Sequence, residues 1–549
     1  MPDLVVVEIA SRGKLVVGEP YFEPGAPVLL DRKQLGDVGP GDLVAVRTGR
    51  GRAQVDRVLG KVDDVEAVLE GLLVKDGLRE PFEPHDTPEP AVEGRVDLRD
   101  LPTFTVDPDT AQDFDDAISV RREGDGIRAW VHIADVAAHV PAGTPLDRGA
   151  AARAFSTYVP GRVAPMLPPE LSEDACSLRP HVDRLTVTVE LPPAGDPLFY
   201  RSIIRSDARL TYGQVERGEV ELPEVALAAE YSAGLRRRRF GRGALQIDTP
   251  EVNFEFDGRG GVERAWLEGE HEAHALIEEL MIAANEAVAG LLASRRRETL
   301  YRVHERPDPQ AVLLLVGKLA ELEVPTPPVP EAERLTPGAA AALASAVGER
   351  IAEYIRTSGR GREAFQSLVL RSLKQARYDP ANLGHSGLAS VAYCHFTSPI
   401  RRYPDLVVHR TLLRELGETE ETQLDDLGEL AEHTSDRERA AAQVEYRADA
   451  ICLAWLLERR LFELGWDATF EGEIIGVIGS GIFVRFGEVF EGFLPARRLT
   501  EDYFEQSTLG TALVGRRTSR RYRLGDPLEV IVAEIRRQEG KVGLAPTIA

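Results

Sequence analysis

Residues 1–60 alternate short apolar runs with Gly and Pro: LVVVEI, KLVVGEP, APVLLD, DLVAVRT and AQVDRVLG. Five such runs at even spacing predict the strands of a small closed barrel. A helical period appears at Val65–Val74 and stops at EPFEPHDTPEPAVEG, a Pro- and acid-rich linker that places a boundary near Glu93. Beyond it strands come first and helices later, the order of an α+β domain. Phe104–Val106, Ala117–Arg122 and Ile127–Ile133 read as strands, the last two joined through Glu-Gly-Asp-Gly as a hairpin. Leu276, Leu280, Ala284, Val288 and Leu291 share one face of a helix predicted over His274–Ala293. Further helices are predicted from Pro404 to Leu416 and from about Thr434 to Leu464. After Leu464 the alternation returns around repeated glycines in ATFEGEIIGVIGSGIFVRFGEVFEGFLPARRL, the pattern of a coiled five-stranded barrel.

A chain of 549 residues is too long for one core, so several domains are expected. The pattern divides it into a barrel (1–60), a short helix and linker (61–93), a central domain (94–464) and a second barrel (465–549). The best candidate for a membrane span, Ala275–Ala293, is interrupted by Glu278, Glu279 and Glu286, and no membrane association is expected. MPDLVVVEIASRG carries an acid at Asp3 before a short apolar run, which reads as a strand and not a signal peptide. Three scattered cysteines without a CxxC imply a reducing, cytoplasmic setting and no structural zinc.

With 66 basic against 90 acidic residues the net charge is −24, which taken alone argues against a nucleic-acid partner. The arginines are clustered, however, at 236–239, 295–297, 401–402, 516–517 and 520–523. A basic channel within an acidic exterior is compatible with that distribution, because local fields steer a ligand. Solvated surface arginines are the alternative for these clusters.

FTVDPDTAQDFDDAISV is the most informative stretch. Asp107, Asp113, Asp115 and Asp116 crowd one strand–loop–strand junction, where carboxylates repel unless cations neutralise them. Oxygen donors with no His or Cys nearby favour Mg²⁺ or Mn²⁺ over zinc, the set used in phosphoryl-transfer sites. A solvated acidic turn or a Ca²⁺ loop is the alternative, although the flanking helices and central Gly of an EF-hand are missing. A second constellation is HFTSPIRRYPDLVVHR, where Pro399 and Pro404 stiffen the loop that presents Arg401 and Arg402. Arginine so placed suits bidentate phosphate contact and transition-state charge, or else a structural ion pair.

Together these stretches resemble the RNB family, the ribonuclease II and ribonuclease R type of 3′→5′ exoribonucleases. Tyr158–Pro180, Leu276–Ala289, Leu300–Pro307 and Ser435–Asp449 match it too, in the expected order over residues 94–549. The resemblance implies a central RNB catalytic domain between an N-terminal OB-like, cold-shock-type barrel and a C-terminal S1 OB-fold barrel. It implies that Asp107, Asp113, Asp115 and Asp116 hold metal and do the chemistry, Asp115 above all. Arg401 would grip the scissile phosphate and Tyr158 seat the terminal nucleotide. Glu278 and Glu445 would lie near the 3′-terminal nucleotide, where a 2′-hydroxyl contact separates RNA from DNA, and Arg402 would bind the RNA. In the S1 barrel Phe483, Phe486 and Phe493 are the candidate stacking residues, Phe483 first among them. His304 and His409 flank motifs and read as structural.

The implied function is Mg²⁺-dependent hydrolysis of single-stranded RNA to nucleoside 5′-monophosphates, by a monomer. A non-catalytic RNA-binding protein on the same fold is the alternative, and its mark would be a lost acidic-loop carboxylate. All four are present. The sequence departs from the family in several places. There is room for one N-terminal barrel where two are usual, without the N-terminal helix-turn-helix segment and Lys-rich tail of the ribonuclease R type. Gln246-Ile247 stands where many relatives place a base-clamping aromatic, Ser480 replaces an RNA-facing aromatic, and Pro495 sits where histidine is common.

Overall fold

The computed structural model describes residues 4–13, 15–30, 35–49, 52–85, 90–246, 250–269, 272–329, 335–419, 426–499 and 502–547. The five N-terminal runs form strands β1 (Leu4–Arg12), β2 (Leu15–Pro20), β3 (Val28–Leu29), β4 (Asp42–Arg47) and β5 (Gln54–Lys61). They pair antiparallel in the order β3-β2-β1-β4-β5. One parallel bridge, Leu30 to Ala53, joins the two edge strands, so closure of this OB-like barrel is slight. Helix α1 (Val65–Lys75) follows, capped by Asp64, whose carboxylate accepts from Glu66 N.

The central sheet has seven strands: β6 (Val96–Asp97), β7 (Phe104–Asp107), β8 (Asp116–Glu123), β9 (Gly126–Ala134), β10 (Asp183–Leu191), β11 (Leu198–Arg205) and β12 (Ala208–Thr211). Their order is β12-β7-β8-β9-β10-β11-β6, antiparallel inside and parallel at the β12–β7 and β11–β6 pairs. The predicted hairpin is the β8–β9 turn, with Glu123 opposite Gly126. Helices α2 (Pro223–Gly241) and α3 (Glu272–Ser294) bury Leu276, Leu280, Ala284 and Val288 in the core shared with this sheet. Leu291, predicted for the same face, is only partly buried.

Helix α4 (Tyr403–Glu415) carries Pro in its first turn, where no N–H is needed. Helix α5 (Leu427–Leu464) begins about two turns before the expected Thr434, because Asp426 caps Gly428 N and Glu429 N and extends a polar first segment. Helices Pro309–Glu321, Pro337–Ser358 and Ala364–Ser372 were not anticipated from the pattern; they join the core beneath the C-terminal barrel.

That barrel is closed and consists of β13 (Thr469–Ile478), β14 (Gly481–Phe486), β15 (Phe490–Pro495), β16 (Pro527–Arg536) and β17 (Lys541–Pro546), in the order β13-β14-β15-β17-β16. Gly540, at φ +63°, turns the last hairpin directly onto α5; a Cβ there would fall 2.6 Å from Ala450. Only glycine permits that approach.

Candidate active site

The acidic loop starts where β7 ends. Asp107 closes β7, Asp116 opens β8, and Asp113 and Asp115 lie between them. Ser177 ties the loop down, donating to Gln112 O at 2.7 Å and accepting from Phe114 N at 3.1 Å. Leu178 N donates to Phe114 O at 2.9 Å, and Arg209 donates to the carbonyls of Pro108 and Asp109 on the other flank. So fastened, the loop cannot swing its carboxylates apart to relieve their repulsion.

Asp115 is 2% exposed. Its Oδ1 accepts from Ile400 N at 2.8 Å, and its Oδ2 lies 3.3 Å from Arg401 Nε. The arginine turn is held from several sides. Asp405, fully buried, accepts at Oδ1 from Ser398 N and from Arg402 Nη2, each at 2.8 Å. Ser156 N donates to Arg401 O at 2.9 Å and Tyr403 N to Ala154 O at 2.8 Å. Tyr403 OH and Arg410 Nη2 both reach Asp147 Oδ1 at 2.8 Å. On α3 the buried Asn285 accepts from Phe396 N at 2.8 Å and donates to Tyr393 OH at 3.1 Å, orienting the approach to the turn. The outcome is a rigid loop that leaves the Arg401 side chain 46% exposed. Arg402, by contrast, is committed to Asp405 and braces the turn.

Tyr158 lies on the short strand Thr157–Val159 and bridges two elements. Its hydroxyl donates to Asp113 Oδ2 at 2.7 Å, and its N–H donates to Glu445 Oε1 on α5 at 2.8 Å. The structure therefore gathers Asp107, Asp113, Asp115, Asp116, Arg401, Tyr158 and Glu445 at one place. Glu278 is half-exposed on α3, 3.6 Å from Arg239, whereas its neighbour Glu279 is buried against the same arginine.

The electrostatics follow from burial. The Asp107 carboxyl is pushed up to about 7, first by desolvation and then by Asp116. Burial raises Asp116 to about 6 against the pull of Arg401 and Arg402. Burial likewise holds Asp115 well above the carboxylate range, opposed by Arg401 and the Ile400 N–H. Asp107 Oδ2 is buried without a hydrogen-bond donor, and Asp115 Oδ2 makes no hydrogen bond beyond its ion pair with Arg401. Such oxygens are costly unless something cationic reaches them. Among the described residues, however, no three His, Cys, Asp or Glu side chains are gathered closely enough to hold an ion as they stand. Tyr158 engages Asp113, and Ile400 with Arg401 engages Asp115, so the four aspartates share a pocket without forming a ligand shell.

Tyr212 was not singled out from the sequence. It stacks on His274 at 3.9 Å, and burial followed by the charges of Asp116 and Asp107 raises its hydroxyl above the usual range. Its position immediately after β12, the parallel neighbour of β7, was the available signal: the strand register sets Thr211 opposite Asp107.

In the C-terminal barrel Phe483 is 39% exposed and packs on Phe493 at 5.0 Å. The candidate Phe486 is corrected to a core residue, 1% exposed and packed against Phe490, because strand alternation turns it inward. Several arginine clusters are likewise used internally: Arg239 pairs with Glu279, Arg297 with Glu415 and Arg523 with Asp526. His409 bonds Phe396 O at 2.8 Å and His304 accepts from Gly387 N, both structural as expected. Gln246 is exposed, and Ile247 lies outside the described residues.

Residues 95–418 match the RNB domain and residues 464–545 the S1 RNA binding domain. Ribonuclease R of Escherichia coli is 37% identical over 488 residues, a span of 83% of this chain and 58% of that protein. Ribonuclease R of Aquifex aeolicus is 34% identical over 554 residues, covering 94% of this chain and 76% of that protein. Mycoplasma genitalium RNase R, solved with ribose methylated single-stranded RNA, superposes with a TM-score of 0.85 at 27% identity, over 99% of this chain and 89% of that one.

Proposed function

The chain belongs to the RNB family, and on that premise we propose that it is a hydrolytic 3′→5′ exoribonuclease that converts single-stranded RNA to nucleoside 5′-monophosphates. The observation that supports this most is the junction of Asp115 with the arginine turn: a buried carboxylate bonded to Ile400 N and facing a half-exposed Arg401. The division into 1–60, 61–93, 94–464 and 465–549 is proposed with it. Buried free thiols at Cys176, Cys394 and Cys452 support a cytoplasmic setting, and a monomer is the expectation.

A divalent cation fits the pocket's chemistry. The donors are all oxygen, Asp107 Oδ2 is buried without a donor, and Asp115 Oδ2 has only its ion pair with Arg401. Asp107, Asp113, Asp115 and Asp116 would hold Mg²⁺, or Mn²⁺ in its stead, once Asp113 is shared with or released by Tyr158. Held by these carboxylates, such an ion would offset their charge and would supply the activation of water for attack.

The chain's own residues supply the rest. Asp115, buried and fixed by the Ile400 N–H beside Arg401, would orient the attacking water. Arg401 swings its exposed guanidinium from Asp115 to the scissile phosphate and offsets the charge that develops there. Tyr158 keeps its ring at the pocket mouth, where a terminal base can stack, while Glu445 fixes its backbone. Glu278 and Glu445 serve the terminal ribose, and Arg402 keeps the turn in place while lying beside the terminal phosphate. Phe483 offers a stacking surface to the strand upstream.

The test is a time course on 5′-labelled single-stranded RNA with Mg²⁺, beside Asp115→Asn and an EDTA control. A ladder that shortens from the 3′ end to a stub, absent from both controls, is expected. Intact RNA that shifts on a native gel would mean that the fold binds without cutting, and internal fragments would mean an endonuclease.

A further inference from the structure

Behind Tyr158, on the side away from the aspartates, lies a cleft of about 420 Å³ between α1, α5 and the end of the helix Pro145–Arg153. Lys75, Asp76, Arg153, Thr157, Arg437 and Arg447 are among the residues lining it. Lys75 is neutralised by Glu23 at 3.0 Å and Asp76 at 3.3 Å. The three arginines are different: among the described residues they find carbonyls and rings. Arg153 donates to Glu80 O at 3.1 Å, Arg437 to Arg153 O at 3.4 Å and Arg447 to Phe22 O at 3.2 Å. None of the three guanidinium groups has a carboxylate at hydrogen-bond distance among the described residues, although Asp76 also lines the cleft and Glu80 and Glu83 act on Arg153, and Glu23 and Glu539 on Arg447, from farther away.

A second observation is independent of charge. Thr157 is fully buried, and its Oγ1 has no hydrogen-bond partner. Alternation along the strand turns it away from Tyr158, which faces Asp113. A buried hydroxyl without a partner, beside arginines bonded to carbonyls and not to carboxylates, is a place prepared for an acceptor.

We propose that this cleft binds the phosphate of a free nucleoside 5′-monophosphate, held by Arg153, Arg437 and Arg447 with a bond from Thr157. Guanidinium forks match phosphate geometry, and the volume suits a small ligand better than a threaded strand. The anion site stands on the cleft alone; the choice of a nucleotide rests on the ribonuclease reading above.

Titration calorimetry on the full chain in EDTA, with inorganic phosphate and AMP as probes, tests both parts. AMP is expected to bind about tenfold or more tightly than phosphate, and both to weaken about tenfold in Arg437→Gln/Arg447→Gln. Arg401→Ala should remove only what binds at the active site and leave the binding that Arg437→Gln/Arg447→Gln weakens, which separates this cleft from the active site. Thr157→Val guards against misfolding: a merely structural threonine predicts an equal or higher melting temperature and unaltered AMP binding, whereas the proposal predicts weaker binding. Phosphate affinity untouched by all cleft variants overturns the site. AMP no tighter than phosphate overturns the nucleotide assignment while leaving the ribonuclease reading to its own assay.

Discussion

Asp107→Asn separates what the acidic pocket costs the fold from what it contributes to chemistry. In the folded chain without a cation the Asp107 carboxyl titrates near 7, against an ordinary value of 3.8. Between those values the folded state holds more protons than the unfolded one, so stability falls as pH rises and the loss is complete above the folded value. At ~1.36 kcal/mol per pH unit, the penalty is about 2 kcal/mol at pH 5 and about 4 kcal/mol above pH 7. Asparagine never ionises, so in EDTA the variant should be more stable than the parent by up to those amounts, with part of the relief arising from weaker repulsion on Asp116. For the central domain that is a rise in melting temperature of several degrees at pH 8, shrinking towards pH 5. Mg²⁺ should reverse the trend, since the parent gains stability by binding it and the variant gains less. The assay is thermal unfolding at pH 5, 6, 7 and 8, with EDTA or Mg²⁺. If Asp107→Asn melts below the parent in EDTA at pH 8, or if the gap does not change with pH, the account of the pocket as a cation-requiring cluster is wrong.

Three further variants have expected outcomes. Asp147→Ala leaves Arg410, only 1% exposed, without its carboxylate and removes the acceptor of Tyr403 OH; chemical denaturation should show a loss of about 3–5 kcal/mol, with RNA hydrolysis falling as the arginine turn loosens. Phe483→Ala should weaken binding of a long single-stranded RNA by about 1–3 kcal/mol in fluorescence anisotropy and leave stability nearly unchanged, while Phe486→Ala, at a buried core position, should cost about 3–5 kcal/mol of barrel stability.

The sequence by itself determined the elements and the chemistry on offer. Period-2 runs became β1–β5 and β13–β15, the helical face of Leu276, Leu280, Ala284 and Val288 became the buried face of α3, and four aspartates stood between two strands. These features are local: backbone periodicity and the side-chain types at each position decide them before any distant contact forms. Tertiary structure decided which groups meet. Ile400 N reaches Asp115 across 285 residues and Glu445 reaches Tyr158 N across 287, and neither pairing is written in any spacing. The same holds for the choice of Glu279 over Glu278 as the buried partner of Arg239, for Arg402 turning to Asp405, and for Phe486 facing inward while Phe483 faces out. Tyr212 shows the limit most plainly, since only the pairing of β12 beside β7 carries an unremarkable tyrosine to the edge of the aspartates. Desolvation, which raises the carboxyls, depends on what the rest of the chain packs around them, and that is a property of the folded molecule alone.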